Sequence, residues 1–144
     1  MLKALRQRRR VSPPDMARTL GLSLRAYENF ESGKGRLNVD RIHAFADALG
    51  ADPFAILAAF EIDSPRFALN TARNKFMMIF MMALGAFDAK AEETIVHLDP
   101  LTLMDAFSAM FDDLALKAQA QADLINKLRH DDPPGGGSEP QDEA

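Results

Sequence analysis

The chain has 144 residues, of which 47% are hydrophobic, and a length of about 150 residues fits one domain or a small domain with an extension. It contains no cysteine, which excludes disulfide scaffolds, thiol nucleophiles and cysteine-ligated metal sites. Its net charge of −4 argues against binding to nucleic acid unless the charge is unevenly distributed.

Four prolines follow a residue that can cap a helix, in the pairs Ser12-Pro13, Asp52-Pro53, Ser64-Pro65 and Asp99-Pro100. The capping oxygen accepts a free N–H, and proline at the first helical position has no N–H to leave unpaired. Each pair therefore marks a helix start, while Gly21, Gly33 and Gly50 are placed to end helices. These signals predict helices over residues 2–10, 13–20, 24–32, 39–49, 53–60, 65–87 and 100–129.

Residues 94–98 are the one strand-like stretch, and we interpret them as the end of a short helix that begins near Asp88. The sequence therefore predicts an all-α fold. Residues 131–144 contain no large apolar side chain, which predicts a disordered tail.

The charge is unevenly distributed along the chain. Residues 1–61 carry a net charge of +3, residues 62–130 carry −2, and residues 131–144 carry −5. The first ten residues alone contain five cations. Such a cluster can be a solvated helix face or a surface that contacts phosphates.

Residues 20–34, with the sequence LGLSLRAYENFESGK, indicate a helix-turn-helix. Gly21 can take the left-handed conformation that ends one helix, and Ser23 can cap the next. Tyr27 and Phe30 are three residues apart and are expected to point to the core. The opposite face of this helix is expected to be exposed and able to enter a major groove, and it carries Leu24, Arg25, Glu28 and Asn29.

Residues 2–60 resemble the Cro/CI-type helix-turn-helix domain of the XRE family of transcriptional regulators. The resemblance rests on a basic first helix and on the stretches SPPDMARTLGLS (residues 12–23), YENFESGK (residues 27–34) and ADALG (residues 46–50). It implies a five-helix domain that binds double-stranded DNA. The three histidines lie far apart without carboxylates at ligand spacing, and the chain has no glycine-rich phosphate loop and no serine nucleophile elbow, so we expect no enzymatic activity, no cofactor and no metal site.

The resemblance also implies roles for individual residues. Base contacts are implied for Leu24, Arg25, Glu28 and Asn29, since arginine can pair with guanine, asparagine with adenine, and leucine with the thymine methyl group. Phosphate contacts are implied for Lys3 and Arg6 in the first helix. They are also implied for Ser32, Lys34 and Arg36, at the end of helix 24–32, which would be the recognition helix, and in the loop after it.

Two further positions bear on the resemblance to the XRE family. Glu31 matches a position at which an acid orients neighbouring polar groups, so its expected role is structural. Pro13 departs from the family, which commonly has a phosphate-contacting glutamine there. Proline cannot donate a hydrogen bond, which puts one backbone contact in doubt but leaves the helix start intact.

The second half of the chain contains apolar surface in excess of what one small core needs. Residues 76–87 are apolar on all sides of the predicted helix, which requires burial on most sides. In the last helix, Met104, Phe107, Phe111, Leu114, Ala118, Gln121, Ile125 and Leu128 follow a heptad pattern. This seam can join two subunits or pack against helix 65–87 of the same chain.

We expect a homodimer, because a palindromic operator calls for a two-fold protein. The residues predicted to form the dimer interface are Phe76, Phe80, Phe107, Phe111 and Leu114. This organisation has three parts: a DNA-binding domain over residues 1–61, a helical dimerisation or effector region over 62–130, and the tail over 131–144.

An interaction protein is the alternative interpretation. The C-terminal helices could bind a toxin, as in antitoxins of this family, or contact RNA polymerase. No stretch reaches the roughly 18 apolar residues of a membrane span, and no apolar segment follows the basic start. We therefore expect a cytoplasmic protein, associated with the bacterial nucleoid when bound to DNA, with neither a membrane helix nor a signal peptide.

Overall fold

The computed structural model describes residues 1–130, which form eight α-helices and one 3₁₀ helix. The α-helices are α1 (Leu2–Arg8), α2 (Pro13–Thr19), α3 (Leu24–Glu31), α4 (Val39–Leu49), α5 (Pro53–Glu61), α6 (Pro65–Thr71), α7 (Phe76–Ala91) and α8 (Pro100–His130). The 3₁₀ helix spans Glu92–His97. No strand occurs among these residues, so the all-α prediction is confirmed. The tail predicted to be disordered, residues 131–144, lies outside the described residues.

The chain divides into two compact units, Met1–Glu92 and a second that begins at Glu93. In the first unit, α1 to α6 each contribute side chains to one core. Its largest fully buried apolar residues are Tyr27, Phe45, Met16, Ile42 and Ile56. Both α6 and α7 pack against α5, so this unit extends well past residue 61. The functional boundary after residue 61 stays a prediction.

Three of the four predicted proline-associated caps form. Ser12, Asp52 and Asp99 each accept an N–H from the residue three positions later, at 3.3, 3.2 and 3.1 Å. The prediction for Ser64 is wrong, because its side chain makes no capping hydrogen bond, although α6 still begins at Pro65. Proline at the first helical position is thus enough to start this short helix.

Asp52 is fully buried and joins the N-termini of two helices. Its Oδ1 accepts the N–H of Ala55 in α5 at 3.2 Å. Its Oδ2 accepts the N–H groups of Met77 and Met78 in α7, at 2.8 and 3.1 Å. Three donors replace the water that the carboxylate loses on burial, and they satisfy free N–H groups at both helix ends.

The predicted continuous helix over residues 65–87 is wrong, because it is divided into α6 and α7 by residues 72–75. Lys75 adopts a left-handed conformation with φ of 57°. Its ammonium group donates to the carbonyl oxygens of Gly50 and Ala51, at 3.0 and 2.7 Å. Together with the Asp52 cap, these contacts favour a helix start at Phe76. The break contains no proline or glycine, so no strong local signal marks it.

The start near Asp88 predicted for the short helix is also wrong, although residues 94–97 do lie at the end of a short helix, the 3₁₀ helix, and form no strand. Residue 88 lies inside α7, which continues to Ala91. Glu92 then adopts φ of 47°, outside helical geometry, and the 3₁₀ helix begins. None of the described helices is both long and apolar enough to span a membrane.

Replacing Asp52 with alanine should weaken the first unit, because three N–H groups at two helix ends lose their acceptor. We expect a loss of about 2–4 kcal/mol in the free energy of unfolding. Urea denaturation measures the loss, and hydrogen exchange at Met77 and Met78 should accelerate. Asp47→Ala, which removes an exposed carboxylate of α4, is the matched control. Equal midpoints for the two variants would contradict the double-cap assignment.

Candidate nucleic-acid interface

The turn between α2 and α3 fixes where the second helix begins. Gly21 adopts φ of 63°, and the N–H groups of Gly21 and Leu22 donate to the carbonyls of Arg18 and Ala17, at 3.1 and 2.8 Å. This pair of bonds satisfies the carbonyls at the end of α2 and turns the chain within two residues. The Ser23 hydroxyl then accepts the N–H of Ala26 at 3.2 Å and caps α3.

The inner face of α3 is held by aromatic side chains. Tyr27 is fully buried, and its ring lies 6.2 Å from that of Phe30 between centroids. Phe30 in turn packs edge-on against Phe45 of α4 at 5.8 Å. Aromatic contacts of this kind add specific geometry to apolar burial. The helix is therefore fixed against rotation about its own axis.

The outer face of α3 is exposed and polar. Arg25, Glu28 and Asn29 are exposed, and Leu24 retains 43% of its accessible surface. Within the described part of the chain, the side chains of Arg25, Glu28 and Asn29 make no hydrogen bond. The structure thus brings together the four predicted base-contacting residues on one accessible surface with their polar groups free.

The three predicted phosphate-contacting residues after α3 are also exposed. Gly33 ends the helix with φ of 76°, and the N–H of Lys34 donates to the carbonyl of Asn29 at 2.9 Å. The Ser32 hydroxyl donates to the same carbonyl at 3.1 Å, so its oxygen remains an acceptor. Lys34 and Arg36 project from the loop beyond this turn.

Arg41 of α4 joins this loop, and the sequence interpretation missed it. Its guanidinium lies 5.7 Å from the centroid of the Phe30 ring, and it lines a small groove with Lys34 and Arg36. Its backbone N–H donates to the side chain of Asn38, which caps α4 at 2.8 Å. In the sequence Arg41 is one cation in an amphipathic helix. Only the Asn38 cap, which starts this helix directly after the basic loop, could have indicated that Arg41 lies beside Lys34 and Arg36.

Arg6 and Glu31 form a buried ion pair between α1 and α3. Nε of Arg6 donates to Oε1 of Glu31 at 2.7 Å, and Nη2 donates to Oε2 at 3.1 Å. Nη1 of Arg6 donates to the carbonyl of Val11 at 2.8 Å. The Tyr27 hydroxyl donates to Oε1 of Glu31 at 2.7 Å. The ion pair therefore links α1 and α3, and through Nη1 of Arg6 it also links them to the loop before α2.

This geometry conflicts with the phosphate-contacting role predicted for Arg6. Only 5% of Arg6 is accessible, and its donors are directed into the protein. The structural role expected for Glu31 agrees with its contacts. Lys3 on the same helix is exposed, and its positive charge helps to lower the pKa of Glu31. Lys3 thus remains available to a phosphate, whereas Arg6 does not.

The ion pair sets the protonation of its members. Burial opposes ionisation of Glu31, but hydrogen bonds from Arg6 and Tyr27 outweigh it, so the pKa of Glu31 is below its ordinary value. The hydrogen bond to Glu31 raises the pKa of Arg6. Burial, reinforced by the bond to Glu31, raises the pKa of Tyr27. At neutral pH the pair is therefore fully charged and the phenol is neutral.

Residues 1–55 match a family model described as a helix-turn-helix domain. The N-terminal part of the chain is a helix-turn-helix domain. The match runs from α1 into the first turn of α5 and includes the turn at Gly21 and the exposed face of α3. No curated protein and no solved structure matched the chain.

The stability of the helix-turn-helix domain should fall in acid through the protonation of Glu31. Because the pKa of Glu31 is lower in the folded state, its stabilisation is complete above the unfolded value, about 4.3. It is lost as the pH falls through the folded value. Glu31→Gln should remove this part of the pH dependence and cost about 3–5 kcal/mol at pH 7, because the Arg6 charge stays buried.

Fluorescence of Tyr27, the only tyrosine in a chain without tryptophan, reports unfolding at this pair during urea titrations from pH 7 to 3. Glu28→Gln, which alters an exposed carboxylate on the same helix, should retain the normal pH dependence. The assignment is wrong if Glu31→Gln and the unmodified chain lose stability in parallel on acidification.

Proposed function

We propose that the protein is a sequence-specific DNA-binding transcriptional regulator of the XRE type, which inserts α3 into the major groove of its operator. The observation that carries this proposal is the exposed polar face of α3 on a helix fixed by the Gly21 turn, the aromatic contacts and the Arg6–Glu31 pair. A helix held this rigidly can present side chains to base edges at a defined register.

The chemistry of the exposed face suits recognition of bases. Arg25 can donate two hydrogen bonds to guanine, and Asn29 can form two with adenine. Glu28 can accept from the amino group of cytosine, and Leu24 can contact the thymine methyl group. Both hydrogen-bonding atoms of the Asn29 side-chain amide are free for such a pair, because only its backbone carbonyl is engaged by Ser32 and Lys34.

We assign phosphate contacts to polar side chains beside this face, of which Arg41 is half-buried and the others are exposed. They come from Lys3 on α1 and from Ser32, Lys34 and Arg36 in the loop after α3, to which we add Arg41. Such contacts supply affinity and fix the register of the helix but do not read sequence. The net charge of +3 on residues 1–61 supports the assignment. We retain residues 1–61 as the DNA-binding part and 62–130 as the dimerisation or effector region.

Alanine substitutions on α3 should reduce sequence preference. Against an operator selected by the full chain from random duplexes, Arg25→Ala and Asn29→Ala should each lose about 5- to 150-fold in affinity. Affinity of Asn29→Ala for unrelated DNA at the same salt concentration should be unchanged. Arg66→Ala, which alters an exposed arginine of α6, controls for loss of one charge. Normal operator binding by both α3 variants would overturn the recognition assignment.

Homodimerisation is supported by apolar side chains that the single chain leaves exposed. On α8 the heptad residues Phe107, Phe111 and Leu114 retain 48%, 44% and 39% of their accessible surface. None of the residues of α7 is buried, although the sequence requires burial on most sides, and Phe76 makes an edge-on contact with Phe67 at 5.7 Å. A second copy of the chain would cover these side chains and present two recognition helices to a palindrome.

Charged substitutions within the heptad seam should prevent dimerisation without unfolding the chain, because the residues are exposed. In light scattering, Phe107→Glu combined with Leu114→Glu should have the mass of one chain, 15.9 kDa, where the unmodified protein has twice that mass. Leu116→Glu changes a residue that is 72% exposed and outside the heptad positions, so it should remain a dimer. A dimer in the double variant would place the interface elsewhere.

The exposed apolar residues also support a second candidate, an interaction protein whose C-terminal helices bind a toxin or RNA polymerase. Ile79 and Met82 of α7 retain 60% and 74% of their accessible surface and lie outside the five predicted dimer residues. Methionine-rich surfaces adapt to different partners. A monomeric unmodified chain in light scattering would favour this candidate over the homodimer.

A further inference from the structure

A cleft in the first unit lies apart from the surface formed by α3. It has a volume of about 520 Å³ and is bounded by α1, the junction of α4 and α5, and the end of α6. None of its lining residues belongs to α2 or α3, and none is one of the residues predicted to contact DNA. The cleft is therefore a separate surface from the exposed face of α3.

Three arginines line this cleft and make it strongly cationic: Arg8, Arg9 and Arg73. None of them forms an ion pair within residues 1–130, and no carboxylate lines the cleft. Each guanidinium has five N–H donors. Arg8 uses one for the carbonyl of Leu69, at 2.7 Å, and Arg9 makes a longer contact of 3.5 Å to that of Gly50. Most donors in the cleft are therefore available to an anion.

The cleft also has an apolar lining, which includes Leu5, Leu49 and Leu69. Its volume lies within the range of about 300–1,000 Å³ that is usual for small-molecule sites, and apolar walls with a few convergent charges are their common composition. A phosphate of the DNA backbone would use the arginines but would leave the apolar wall unused, and the exposed part of that wall comes mainly from Leu69, because Leu5 and Leu49 keep only 4% and 5% of their accessible surface. A molecule with an anionic group and an apolar body would use both.

We propose that this cleft binds a small organic anion, in which a carboxylate or phosphate group contacts Arg9 and Arg73 and an apolar body lies against the apolar wall at Leu69 and Ala72. Bidentate contacts between guanidinium groups and such anions are among the strongest polar contacts in proteins. The proposal does not depend on DNA binding. The proposed ligand would lie between α1 and the end of α6.

The test is an NMR titration of the ¹⁵N-labelled full chain with phenyl phosphate, phenylacetate and inorganic phosphate. The first two probes carry different anionic groups on the same apolar ring, and the third has no apolar body. We expect phenyl phosphate or phenylacetate to shift the amides of Leu49, Ala51, Leu69 and Arg73, with an affinity at least about tenfold higher than that of inorganic phosphate. The tighter of the two ring-bearing probes identifies the preferred anionic group.

Arg9→Gln and Arg73→Gln should each weaken binding of the tighter probe by about tenfold or more, because each removes a charge-assisted hydrogen bond. Both residues are exposed, so the rest of the spectrum should be unchanged. Arg66→Gln alters an exposed arginine outside the cleft and should bind normally.

Three results would overturn the proposal. The first is no shift at the cleft with either ring-bearing probe at 10 mM, a concentration roughly tenfold above a 1 mM dissociation constant. The second is equal affinity for inorganic phosphate, which would mean that the apolar wall contributes nothing. The third is unchanged probe binding in Arg9→Gln and Arg73→Gln together with weaker DNA binding, which would make the arginines contacts of the DNA backbone.

Discussion

The carboxylate of Glu31 is the contact on which the position of α3 depends. It accepts hydrogen bonds from Arg6 of α1 and from Tyr27, one turn earlier on its own helix. A buried ion pair does not by itself imply large net stability, since desolvation offsets much of the attraction. Its effect here is geometric, because two parallel N–H···O bonds fix both the distance and the rotation of α3 relative to α1. The orientation of the exposed face of α3 is maintained only while this pair is intact.

Asp52 is a second buried carboxylate that joins separate helices. Its two oxygens satisfy N–H groups at the starts of α5 and α7, and Lys75 donates to the carbonyls of Gly50 and Ala51 immediately before it. The negative carboxylate of Asp52 thus lies at helix N-termini, and the positive ammonium group of Lys75 lies at the C-terminus of α4. This is the arrangement that the helix dipole favours. Through these contacts α7 is attached to the helix-turn-helix domain and does not simply follow it in the chain.

Local signals in the sequence were sufficient for most of the fold. Proline after a capping residue marks helix starts through one or two residues, and Gly21 with Ser23 defines the turn before α3, so these elements could be predicted within one or two positions. The break at residues 72–75 depends on contacts from Lys75 and Asp52 to residues about 25 positions away, which no local pattern records. The inward direction of Arg6 likewise depends on Glu31, which is distant in sequence and adjacent only after folding.

The basic N-terminal segment illustrates the limit of charge counting. In the sequence its five cations form one cluster, which can be a solvated helix face or a surface that contacts phosphates. In the fold, Arg6 is committed to Glu31, while Arg8 and Arg9 reach the carbonyls of Leu69 and Gly50 and line the cleft. Binding of a phosphate backbone depends on cations that can leave water and lose their counterions together at one surface. The electrostatic support for DNA binding therefore comes less from the first helix than from Lys34, Arg36 and Arg41, which lie together beside the recognition helix.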